Sequence, residues 1–194
     1  MASFTTSDLD YITTEYRTLA ELCDGRALGA AQVSALVAEG RLPGATYVLP
    51  SGERRFPPDY FALVDAVGLE SLAEGFRERF LAAGGAEADV DDYWQDYLGG
   101  GFGVCLRSVT PESMVAKSRL VARVAELTGA SAPEDPVWRD ALRTAVDELD
   151  ALLRPFTDYD RERYGDTSRD KNVTRVRATW AEVFEECDVH PVGV

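Results

Sequence analysis

Histidine is almost missing from these 194 residues, with His190 as the one copy. Imidazole metal clusters and Ser-His-Asp triads therefore have almost no material to be built from. The three cysteines, Cys23, Cys105 and Cys187, are odd in number, far apart and without a CxxC spacing, which fits neither a disulfide framework nor a zinc knuckle. They read as reduced thiols. No apolar run approaches the roughly 20 residues of a bilayer span. The opening MASFTTSDLD has neither the basic nor the apolar segment of a secretory signal. The expectation is a soluble, cytoplasmic protein with no membrane partner. Lysine is also scarce, Lys117 and Lys171 standing beside eighteen arginines. Thirty-four acids against twenty bases give a net charge of −14, a field that repels phosphate backbones and makes nucleic acid a disfavoured partner.

What is present is helical periodicity. Leu9, Ile12 and Tyr16 recur at helical spacing, and Thr18-Leu19-Ala20-Glu21 has the form of a capping box that opens a second short helix. A third runs from about Ala30 to Glu39, with Val33, Leu36 and Val37 apolar and Gly40 as its stop. Ala45–Leu49, a Pro50-Ser51-Gly52 turn and Glu53–Phe56 predict a β-hairpin, which Pro57-Pro58 ends. Helices follow from about Asp59 and over Leu69, Leu72, Phe76 and Phe80. Thr110-Pro111 and Asp135-Pro136 each place a cap before a helix-starting proline. Leu120, Val124 and Leu127, and then Trp138, Leu142, Ala145, Leu149 and Leu152, form apolar stripes. Pro155 stops the second of these helices. Ser168 is expected to cap a last helix through Val173, Val176, Trp180, Val183 and Cys187.

The order helix, turn, helix, hairpin over residues 18–61 resembles the winged helix-turn-helix of MerR-like and excisionase-like proteins. That resemblance implies a second helix in the major groove and phosphate contacts from the wing. Here the second helix offers only Gln32 and Ser34 beside Glu39, and Arg26, Arg41, Arg54 and Arg55 sit in a segment with five bases and nine acids over residues 1–66. The fold class expected is mainly α: a winged helix-turn-helix-like N-terminal half (1–66) with one β-hairpin, packed on a C-terminal helical bundle (67–194).

Four constellations carry chemistry, each beside a structural alternative. Glycines at 99, 100, 101 and 103 either let backbone approach a phosphate or end a helix at a flexible joint. Cys105, two residues before Arg107, is either an activated thiol or a buried inert one, and Trp94 and Tyr97 are either ligand-stacking or core aromatics. Arg154 to Arg177 is the one locally positive stretch, with seven bases against five acids. Its arginines, aspartates and tyrosines form either a salt-bridge knot or an anion-recognising pocket whose guanidinium forks hold a carboxylate or phosphate.

Trp94–Leu98, Gly103–Arg107, Thr110-Pro111-Glu112, Lys117, Trp138, Arg154-Pro155-Phe156, Asp160-Arg161 and Ser168-Arg169-Asp170 together resemble a family of small bacterial natural-product biosynthesis proteins that carry a domain of unknown function. The resemblance implies an accessory or tailoring role and carries no catalytic assignment. Joined to the residues above, it predicts that an anionic small-molecule intermediate binds between Trp94–Arg107 and Arg154–Arg175. Arg107, Arg154, Arg161 and Arg169 would anchor it, with Trp94, Tyr97, Asp170 and Arg175 completing the lining. Asp158, Asp160 and Tyr164 are the acid–base candidates of a metal-independent step, and Cys105 is the nucleophile candidate. No metal site is expected, although carboxylate-only Mg²⁺ binding by the aspartate-rich segments stays open. A DNA-binding pathway regulator is one alternative; an acidic interaction module that meets an Arg-rich biosynthetic enzyme is the other. The residues specify no cofactor, reaction type or oligomeric state.

Overall fold

The computed structural model describes residues 3–185, so Cys187, His190 and the end of the expected last helix lie outside the described residues. The chain is mainly helical with one small hairpin. Thr5 caps α1 (Thr6–Glu15) in a reciprocal box with Asp8, and Thr18 does the same with Glu21 for α2 (Leu19–Leu22). α3 (Ala30–Ala38) ends at Gly40, whose φ of 69° is the left-handed stop anticipated there. The hairpin pairs β1 (Tyr47–Val48) with β2 (Arg54–Arg55), Tyr47 opposite Arg55, and Phe56 extends it by a two-way bridge to Arg17. α4 (Ala62–Val67), α5 (Leu72–Ala82), α6 (Val90–Leu98) and the single turn α7 (Phe102–Cys105) follow. α8 (Pro111–Gly129) and α9 (Pro136–Leu152) start at the expected prolines, and Asp135 accepts a hydrogen bond from Val137 N at 2.9 Å.

The stretch after α9 departs from expectation. Thr157 and Asp160 form a third capping box and fold the segment read as an irregular junction into α10 (Asp158–Tyr164). The cap of the next helix is Thr167, not Ser168: its hydroxyl accepts from Asp170 N at 3.1 Å while the Asp170 carboxylate accepts from Thr167 Oγ1 at 2.7 Å. That helix passes through a wide π-helical stretch at Asp170–Thr174 into α11 (Arg175–Thr179). It is not continuous, because Trp180, at φ −117° and ψ 44°, breaks it before α12 (Ala181–Glu185).

Packing groups the chain into two compact units, a grouping that differs from the order of elements that suggests a division at residue 66. Unit 1 takes the described residues up to Ala116 together with Arg154–Gly165; unit 2 takes Lys117–Leu153 and the described residues from Asp166. In unit 1, Phe76, Phe80, Tyr93, Trp94, Tyr97 and Phe102 stack or meet edge to face. A second cluster joins Ile12, Tyr16, Tyr47 and Val104, with Phe4, Phe156 and Tyr159 packed against it. In unit 2, Trp138 donates from Nε1 to Leu127 O at 2.9 Å and meets Trp180 edge to face.

Candidate functional site

Within unit 1 the two stretches singled out in the sequence meet. Arg154 N donates to Cys105 O at 2.9 Å, Arg154 Nε to Leu106 O at 2.9 Å and Arg154 Nη2 to Arg107 O at 3.2 Å. Nη1 reaches Glu15 at 3.2 Å, and the guanidinium lies 5.0 Å from the centre of the Tyr16 ring. Arg154 is 4% exposed. Its fork is fully engaged by carbonyls and one carboxylate, so it works as a buried staple between segments. Arg107 contributes its carbonyl to that staple and carries its own side chain in the open.

The other sequence-selected residues are distributed as follows. Asp160 is wholly buried; its Oδ2 accepts from Thr157 N (2.9 Å), Thr157 Oγ1 (2.7 Å) and the Tyr47 hydroxyl (3.0 Å). Its Oδ1 has no partner among the described residues. Burial drives the Tyr47 and Tyr16 hydroxyls far above the ordinary tyrosine range, and the Asp160 carboxylate adds to the shift. Cys105 is buried with Sγ directed at Phe102 O (3.5 Å). Asp158, Arg161 and Tyr164 lie on the exposed side of α10: Arg161 donates to Phe156 O at 2.9 Å and approaches Asp158 at 3.4 Å. Partial burial raises the Tyr164 hydroxyl as well, against the Arg163 guanidinium stacked 5.0 Å over its ring. Trp94 and Tyr97 belong to the aromatic cluster already described.

In unit 2, Arg169 pairs with Asp150, and Arg177 pairs with Asp147 and Asp150, both at 2.7 Å, which fastens the last helix to α9. Arg175 pairs with Asp166 at 2.8 Å in solvent, and Asp170 is occupied by its cap. Among the described residues no three or more His, Cys, Asp or Glu side chains gather as metal ligands, and no helix is long and apolar enough to cross a membrane.

A concavity of about 200 Å³ does open beside Arg154–Asp158, and its walls are residues the sequence reading largely missed: Ser7, Asp8 and Tyr11 from α1, then Pro155, Phe156, Thr157 and Asp158. Asp8 is the hinge of this arrangement. Its Oδ2 accepts from Thr5 N and Thr5 Oγ1, both at 2.8 Å, and its Oδ1 accepts from Asp158 N at 3.1 Å, so one carboxylate caps α1 and α10 together. Burial is the largest influence on its acidity and pushes it upward. The hydrogen bonds from Thr5, Asp158 and Tyr159 together outweigh that and hold Asp8 below its ordinary value of 3.8. Tyr11 donates to Pro155 O at 3.3 Å, and burial raises its hydroxyl. Thr5-x-x-Asp8 announces the first cap in the sequence; the pairing with Asp158, 150 positions away, has no local signal.

The lining carries two carboxylates and no basic side chain. Its volume lies below the roughly 300 Å³ at which sites for whole drug-sized ligands begin, and suits one functional group of a larger molecule. No curated protein and no solved structure matches the chain. The family model described as "Family of unknown function (DUF6058)" matches residues 69–181, more than half of the chain.

Proposed function

The chain belongs to DUF6058, a family defined without an activity, and from that premise we propose that it is an accessory protein of natural-product biosynthesis that binds a small intermediate at the α1–α10 concavity. The biosynthetic setting comes from the resemblance of the residues quoted above. The site comes from one observation: the stretch that carries that resemblance, Arg154-Pro155-Phe156, borders a concavity walled by Asp8, Tyr11, Phe156 and Asp158. The sign of its charge points to a ligand with a protonated amine, in place of the anion suggested by the arginine count. Asp158, with a side chain 82% exposed, is the partner for the ammonium, which displaces its loose 3.4 Å contact with Arg161; Phe156 and Pro155 supply an apolar wall.

The reading is of binding: Asp160 and Cys105 are sealed and Arg154 is engaged, which leaves Asp158 as the accessible charged group of the wall. Calorimetry with benzylamine and benzoate as matched probes tests it. Benzylamine binds and benzoate does not, and Asp158→Asn weakens benzylamine roughly tenfold, equivalent to ~1.4 kcal/mol. Equal binding of both probes, or an unchanged affinity in the variant, overturns the assignment.

A further inference from the structure

Unit 2 has a surface whose residues have no role in the proposed site. α8 and α9 are joined by a short loop, and the bond from Trp138 to Leu127 O sets them side by side in opposite directions. Along that seam runs an open groove of about 530 Å³ with Leu120, Ala141 and Ala145 on its floor. Val137, 74% exposed, continues the same face of α9, since positions 137, 141, 144 and 148 recur at steps of four, three and four. With Leu120, Ala141 and Ala145 it makes an apolar line along the seam.

The two banks of the groove differ in sign. α8 supplies Arg119 and Arg123, and α9 supplies Asp140 and Glu148. Arg119 and Glu148 have no ion-pair partner among the described residues, whereas Arg123 and Asp140 hold only exposed contacts three residues along their own helices, to Glu126 and Arg143. Such pairs are worth about 0–1 kcal/mol and exchange readily. From the Trp138–Leu127 register, Arg119 stands level with about Val146, within two residues of Glu148, and Arg123 level with about Leu142, within two residues of Asp140.

We propose that this groove is the face on which a second copy of the chain docks, about a two-fold axis parallel to the groove. That operation lays α9 of one copy over α8 of the other. Arg119 then faces Glu148 of the second copy and Arg123 faces Asp140, each contact occurring twice, as a closed isologous interface requires. A two-fold axis across the groove would set arginine against arginine. The charge pattern therefore selects one orientation as well as one partner, and the small side chains at 141 and 145 let the helices approach closely.

Sedimentation equilibrium on the full chain tests this. The wild-type mass is twice the 21.2 kDa of one chain. Arg119→Glu and Glu148→Arg each raise the dissociation constant at least tenfold, and the double variant Arg119→Glu/Glu148→Arg restores association, with circular dichroism verifying the fold of each. A monomeric wild type, which leaves the groove to another protein or to a small ligand, overturns the proposal. So does a dimer indifferent to Arg119→Glu, or a double variant that stays as weak as the single ones. Because no residue of the α1–α10 concavity is altered, benzylamine binding is unaffected in every variant, and the two readings fail independently.

Discussion

At the scale of single residues, the most deeply buried charged groups of unit 1 serve backbone. Arg154 satisfies the carbonyls of Leu106 and Arg107, and Asp8 satisfies the first amides of two helices. An acid whose charged form is held by several N–H donors ionises more readily when folded than when unfolded. The stability Asp8 contributes is therefore complete above its unfolded value of 3.8 and is lost as pH falls through its lower folded value. Asp8→Asn is expected to lower stability at neutral pH by about 1–2 kcal/mol, since the amide weakens two caps at once. The difference from wild type should narrow below pH 3.8, where the unfolded chain begins to take up the proton, and close once the native carboxylate follows at its lower value. Urea titrations at pH 7 and pH 3 measure both; a gap that widens in acid would refute the linkage.

At the scale of elements, what the sequence made legible was local. Thr18-x-x-Glu21, Gly40, Thr110-Pro111 and Asp135-Pro136 act within one helical turn, and each marks the boundary observed. Thr157-x-x-Asp160 is the same signal, obscured by the charge density around it. The contacts that decide the role of each arginine were not legible, because the partners of Arg154, Arg169 and Arg177 lie on other elements. The π-helical stretch shows the same limit. Arg169 and Arg177, eight positions apart, would diverge by about 80° on a regular helix; the residue absorbed at Asp170–Thr174 brings both onto Asp150. The glycine run resolves into distinct duties. Gly100 has φ +75° and lies against the backbone of Gly44 and Ala45, so a Cβ there meets Gly44 O, while Gly101 has ordinary φ and open space. Gly100→Ala is expected to cost about 1–3 kcal/mol and Gly101→Ala less than about 0.5 kcal/mol by thermal denaturation. Equal losses at the two positions would mean that the loop moves as one body.

At the scale of the whole molecule, the net charge of −14 is matched by the fate of the arginines that flank α3. Arg26 is held by Asp65 in a two-pronged pair at 2.7 and 2.8 Å, Arg41 by Glu70 at 2.8 Å, and Arg55 by Glu53 and Glu21, while Arg54 is exposed without an ion pair among the described residues. Phosphates would have to displace these carboxylates against the field of the entire protein. A gel shift with promoter DNA in low salt, where such binding is strongest, is expected to show no complex. A retarded band that is lost on adding salt would return the regulator reading to first place. Chain connectivity adds a final consequence. Unit 1 receives Arg154–Gly165 only after the whole of α9 has been made. On the ribosome its nascent interior must wait, with the carbonyls of Leu106 and Arg107 unanswered, until the guanidinium that closes it emerges from the exit tunnel. A stop codon between Ala116 and Arg154 thus spoils a unit whose larger, N-terminal part has already been made.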